Sequence, residues 1–199
     1  MTELAHAVQF FQGGFTILMA LALGEAFKQF VPDGDKDIRW DRLPSLVAFL
    51  FTIFPFFHGM TQYMYITYLR ATGLGLAEVS EYLLFDGIMF MGMAGVFFVL
   101  SRSLSPSHWF RFYLSTLVLL AVDTIWISAA IYRGSQLQPW LILNIIAAGI
   151  LVSVLRTQHG VTYADKPPLP WTSPPWICAI LFVTSTIIDY GWMQRYFFQ

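Results

Sequence analysis

The amino-acid sequence predicts an all-α protein, a polytopic bundle of about six helices that cross a lipid bilayer. Hydrophobic residues make up 57% of the 199 residues and charged residues only 12%, whereas a soluble domain carries about 25% charged residues. The long segments are apolar around their whole circumference and reach the roughly 20 residues that a hydrocarbon core requires. None of these segments alternates with a period of two, which argues against membrane-spanning strands.

Six apolar windows qualify as membrane-spanning helices. They cover residues of about 9–31, 43–69, 80–101, 109–132, 139–156 and 174–195. Lys and Arg mark the breaks between windows, and Tyr and Trp collect near the helix ends, as is typical of the membrane interface. Because the intervening loops are too short for a folded domain, we expect residues 1–199 to form a single integral membrane domain.

Individual windows contain residues that affect how each helix is retained, bent or packed. No positively charged stretch and no small-residue cleavage site accompany the first window, so we expect it to stay in the protein as a helix. The second contains Pro55, which interrupts helical hydrogen bonding. The third contains Gly87, Gly92 and Gly95, which permit close helix contacts. The fifth is the shortest, and the sixth follows the run KPPLPWTSPP, which favours an extended path.

The distribution of positive charge predicts the orientation in the membrane. Odd-numbered loops and the helix ends beside them hold eight basic residues, namely Lys28, Lys36, Arg39, Arg42, Arg102, Arg111, Arg156 and Lys166. The opposite side holds Arg70, Arg133 and Arg195. Because cytoplasmic loops are enriched in Lys and Arg, we expect the odd-numbered loops to be cytoplasmic and both chain termini to lie outside.

Ionisable residues inside the apolar windows are the strongest indication of function. A charged side chain at the centre of a membrane helix costs about 2.5–3.5 kcal/mol on insertion scales. Such residues are therefore expected to face a polar or hydrogen-bonded interior of the bundle. Together with one amide they form the predicted path for a proton or small cation, which comprises Glu25, His58, Asp86, Asp123, Asp189 and Asn144.

The acids differ in the partners that the neighbouring sequence offers. Lys28 follows Glu25 by one helical turn, so an interfacial ion pair explains Glu25. The three aspartates have no basic residue within a turn, and because burial disfavours the ionised carboxylate, they are suited to carry protons or bind cations. The alternative is structural, with the acids accepting hydrogen bonds that tie helices together. The expected supporting donors are Tyr63, Trp126 and Trp192.

His58 follows Pro55 by three residues in the second window. Proline frees a backbone carbonyl and bends a helix, and a bend beside an imidazole would serve as a gate. The alternative is that His58 donates a hydrogen bond in the core and has no working role.

These observations favour a proton or small-cation channel or transporter that acts as a homo-oligomer, since six short helices leave little room for a pore within one chain. The alternative is a membrane-embedded signalling, effector or scaffold subunit that binds a partner protein through helix faces or cytoplasmic loops. An enzyme is less favoured, because the sequence contains no nucleophile-elbow, zinc-protease, phosphate-loop or dinucleotide motif.

Cofactors, metals and nucleic acid are not expected. Cys178 is the single cysteine, and one histidine in mid-membrane does not complete a metal-ligand set. The eleven Lys and Arg residues are scattered along the chain, whereas nucleic-acid binding requires them to cluster on one face. The expected partner is the lipid bilayer, together with further copies of the chain.

Overall fold

A computed structural model describes residues 3–32, 37–70, 76–158, 161 and 170–193. This part of the chain is helical, without a strand, and its six long helices are α1 Glu3–Phe30, α2 Leu43–Met64, α3 Leu76–Ser101, α4 Trp109–Tyr132, α5 Gln138–Gln158 and α6 Pro174–Ile188. All six lie in segments that are long and apolar enough to cross a membrane. The predicted fold class is therefore confirmed, and the chain is a multi-pass membrane protein in lipid.

The helix boundaries lie close to the predicted windows. The bounds of α4 coincide with its window, whereas α1 begins earlier than predicted, at Glu3, because the residues before its apolar run include good helix formers such as Ala5 and Ala7. The second and sixth helices end in π-helical turns, Tyr65–Arg70 and Asp189–Met193. Residues 194 and 195 of the last window lie outside the described part.

Prolines begin two of the helices and interrupt one. Pro44 lies in the first turn of α2, and Pro174 and Pro175 lie in the first turn of α6, where a backbone N–H would have no helical partner. Pro55 lies inside α2. Because proline has no N–H, it leaves the carbonyl of Phe51, four residues earlier, without its usual helical donor.

The helices do not all pack in chain order. Helices α1, α3, α4 and α5 form a row in which each packs on the next, while α2 packs most extensively on α6. Helix α6 contacts α4 and α5 much less than it contacts α2. This arrangement leaves space between the α2–α6 pair and the α4–α5 pair.

Aromatic rings fill the core between α1, α2 and α3. The ring of Phe15 lies 5.8 Å from that of Phe56, 6.0 Å from that of Phe57 and 6.3 Å from that of Phe90, measured between centroids. The outer surface is also apolar, with exposed side chains that include Phe10, Ile17, Leu21, Ile88, Ile125, Ile142, Ile145 and Ile187. Soluble proteins rarely expose so large an apolar surface, and lipid chains cover it here.

Candidate intramembrane cation site

A cavity of about 150 Å³ occupies the space between α2, α4, α5 and α6. Its walls are mostly apolar, and their aromatic residues are Phe51, Phe56, Tyr63, Phe90, Trp126, Trp140 and Phe182. Three residues of the predicted path also line it: Asp123 from α4, Asn144 from α5 and Asp189 from the end of α6. The structure therefore brings half of the predicted path together around one cavity.

Asp123 is joined to α5 by a single hydrogen bond. The amide nitrogen of Asn144 donates to Oδ2 of Asp123 over 2.6 Å. Within the described ranges no lysine, arginine or histidine forms an ion pair with Asp123, and its side chain is only half-buried. Because a carboxylate in apolar surroundings is stabilised by hydrogen bonds or by a compensating charge, Asp123 is suited to bind a proton or a cation at this cavity.

Asp189 lies where α6 passes into its terminal π turn. The indole nitrogen of Trp140, at the start of α5, donates to Oδ1 of Asp189 over 2.9 Å. Asp189 is buried and still lines the cavity. Single π turns inside helices are rare and often accompany functional sites, and this one presents an acid to the same space as Asp123.

Asp86 belongs to a separate network beside the cavity. Its fully buried carboxylate accepts hydrogen bonds from the hydroxyl of Tyr68 at 2.5 Å, the indole nitrogen of Trp126 at 3.0 Å and Nη2 of Arg133 at 2.6 Å. The Arg133 guanidinium also lies over the rings of Tyr82 and Phe85. With its charge compensated and three donors in place, Asp86 ties α3 to α4 and to the π turn after α2.

The electrostatics of Arg133 are those of a stable ion pair. Burial lowers the pKa of its guanidinium, but the hydrogen bond and negative charge of Asp86 raise this pKa by more, so it lies above its ordinary value. Arg133 therefore stays charged at every physiological pH and keeps Asp86 compensated.

Trp126 separates this network from the cavity. Its ring packs between Tyr63 and Phe90, at centroid distances of 4.9 Å and 5.0 Å, and forms part of the cavity wall. Its N–H points the other way, to Asp86. Of the predicted supporting donors, Trp126 donates to Asp86, and Tyr63 both lines the cavity and interacts with Asp86 through its hydroxyl. The side chain of Trp192 lies outside the described part.

The other two predicted path residues do not line the cavity. The ring of His58 contacts that of Tyr190, which belongs to the π turn after α6, at a centroid distance of 5.3 Å. Glu25 lies near the end of α1, where Nε of Arg102 is 3.7 Å and Nε2 of Gln29 is 3.3 Å from its Oε1. Glu25 therefore belongs to a polar cluster at the membrane boundary.

Two important partners were not recognised in the sequence. Trp140 resembles a residue of the interfacial aromatic belt, and Arg133 resembles an ordinary loop charge. No local pattern connects either residue to its acid, since Trp140 is 49 residues from Asp189 and Arg133 is 47 residues from Asp86. Within the described ranges, no group of three His, Cys, Asp or Glu side chains is arranged to hold a metal ion.

Comparisons of the chain with protein-family models, with curated proteins and with solved structures return no match.

Proposed function

We propose that this membrane protein is a transporter that binds a proton or small cation at the cavity between α2, α4, α5 and α6, with Asp123 and Asp189 as the binding groups. The observation that carries the proposal is the shared cavity, which both carboxyl groups line. Asp123 is held by a neutral amide, and a neutral indole donates to Asp189. A membrane-embedded acid without a paired basic residue, as Asp123 is within the described part, is suited to exchange a cation or proton.

The size of the cavity favours a carrier over an open pore. A water molecule in the liquid occupies about 30 Å³, so a cavity of about 150 Å³ holds a few waters or one small solute. Carriers commonly place such a site near the bilayer midplane and expose it to the two sides in turn. Because the site lies within one chain, transport does not require several subunits to surround it; self-association and binding of a partner protein stay predictions.

The proposed orientation places the end of the bundle that holds Arg42 and Arg102 in the cytoplasm. Single cysteines introduced in a Cys178→Ser background test this orientation. The background removes the one native thiol of the chain, which is buried. We expect a membrane-impermeant maleimide to label Gln136→Cys in intact cells and Arg39→Cys only after permeabilisation, because both native side chains are exposed but lie at opposite ends. The reverse pattern would invert the proposed orientation.

Flux into proteoliposomes tests the transport proposal. With a pH gradient imposed, Asp123→Asn and Asp189→Asn should each lower the proton flux at least tenfold. The matched control is Ser128→Ala on α4, whose exposed hydroxyl donates to the carbonyl of Thr124 in its own helix. Wild-type flux in both aspartate variants, with thermal stability unchanged, would overturn the proposal.

A further inference from the structure

Resting on the proposed cation site, we infer that its substrate is a small organic ammonium ion with an aromatic or branched apolar body, such as phenethylammonium. The cavity has a few hydrogen-bond acceptors near Asp123, and the rest of its wall is mostly apolar. A ligand that fits both parts of the cavity carries a small positively charged group and an apolar body.

The described walls of the cavity do not provide the oxygen ligands that an inorganic cation needs. Hard metal ions require a shell of about six or more oxygen ligands, and filters for dehydrated ions surround them with rings of carbonyl groups. Here, within the described residues, no group of three His, Cys, Asp or Glu side chains is arranged to hold a metal ion, and the cavity wall is mostly apolar. The surface that remains is mainly ring and aliphatic carbon, which does not replace a hydration shell.

The polar edge of the cavity suits a primary ammonium group. Such a group has three N–H donors and no acceptor, like the lysine side chain. Asn144 donates to Oδ2 of Asp123, and within the described residues no group donates a hydrogen bond to Oδ1 of Asp123 or to the amide oxygen of Asn144. These two oxygens belong to neighbouring cavity-lining side chains, so they provide adjacent acceptors for one ammonium head.

The aromatic walls suit the apolar body and the charge together. Tyr63, Trp126 and Phe90 form a packed cluster on one side of the cavity. Aromatic ring faces attract organic cations and provide apolar contact area. A cavity near 150 Å³ accommodates a benzene-sized ring, so it holds the ring of phenethylammonium while the ammonium group lies at the polar edge, and it is far too small for a diacyl lipid.

Equilibrium binding to the full chain in nanodiscs tests the inference without requiring transport. We expect saturable binding of radiolabelled phenethylammonium, at least tenfold weaker binding of 2-phenylethanol, which lacks the charge, and at least tenfold weaker binding of methylammonium, which lacks the ring. Asp123→Asn should weaken phenethylammonium binding at least tenfold, Asp123→Glu should restore part of it, and Ser128→Ala should bind as the wild type.

A second variant keeps the test decisive if Asp123→Asn does not fold. Ala147 is buried and lines the cavity, so Ala147→Leu fills part of the space while both acids remain, and it should lower the affinity at least tenfold. Equal binding by the wild type and by a folded Asp123→Asn variant would overturn the inference. Normal proton flux without phenethylammonium binding would overturn only the substrate class, whereas binding without any flux would overturn only the transport proposal.

Discussion

The side-chain hydroxyl of Thr186 on α6 lies 2.8 Å from the carbonyl oxygen of Phe51 on α2. This is the carbonyl that Pro55 leaves without a helical donor, because proline lacks the N–H that a helix would place there. The same hydroxyl lies 2.8 Å from the carbonyl of Phe182 in its own helix. Since all four residues line the cavity, the interhelical hydrogen bond repairs the break in α2 and joins it to α6 at the wall of the proposed site.

This relationship predicts coupling between Thr186 and Pro55. Thr186→Val should lower the free energy of unfolding by about 1 kcal/mol or more, because the Phe51 carbonyl then has no donor in an apolar interior. In a Pro55→Ala background the helix supplies that donor, so the same substitution should cost much less. A double-mutant cycle measured by unfolding in mixed detergent checks this, and equal costs in both backgrounds would contradict it.

The ion pair between Arg133 and Asp86 predicts a large loss of stability when one partner is removed. The side chains are 11% and 0% exposed, and an uncompensated buried charge costs about 3–5 kcal/mol. Arg133→Met should therefore lower stability by about that amount, whereas Arg156→Met, at an exposed position on α5, should cost less than about 1 kcal/mol. Thermal unfolding in detergent measures both.

Removing both charges together distinguishes charge compensation from packing. Asp86→Leu combined with Arg133→Met should be more stable than Arg133→Met alone, because no unpaired charge is left buried. If the double variant were the less stable of the two, the packing and hydrogen bonds of Asp86, which Tyr68 and Trp126 supply, rather than its charge would explain its contribution.

Close packing between α1 and α3 predicts different outcomes for glycines on the same helix. A Cβ atom at Gly87 would overlap the ring of Phe11, so Gly87→Ala should destabilise the protein by about 1–3 kcal/mol. Nothing lies within 4 Å of the corresponding position at Gly92, where alanine should be neutral or stabilising by up to about 1 kcal/mol. Phe11→Leu should relieve the Gly87→Ala defect in thermal unfolding, and failure of this rescue would contradict the contact.

The hydrogen bond between Asn144 and Asp123 predicts a role in the proposed transport. Asn144→Leu keeps a similar side-chain volume but removes the amide that holds the carboxyl group at the cavity. A hydrogen bond to a charged group contributes about 1.5–3 kcal/mol, so the flux should fall by roughly ten- to a hundredfold. Ser153→Ala, on an exposed part of the same helix, is the control, and equal flux in the two variants would remove Asn144 from the mechanism.

The membrane class, the six helices and the presence of acids within apolar helices were all predictable from the sequence. Lipid imposes a length and an apolar composition on each helix separately, and these properties are visible in a local window. The bounds of α4 were predictable for that reason. The π turns at Tyr65 and Asp189 were not, because both retain helical periodicity in the sequence.

Tertiary packing determines which acids share one cavity. Asp86, Asp123 and Asp189 look alike in sequence, yet Asp86 forms an ion pair with Arg133, and Asp123 and Asp189 line one cavity. That difference depends on α2 packing against α6 and on the spacing between this pair and the α4–α5 pair. Every helix is apolar both on its lipid side and in its core, so hydrophobic patterning does not specify which helices are neighbours. Neighbouring helices are specified by the fit of side chains, such as Phe11 against Gly87, and by hydrogen-bond donors such as Trp140.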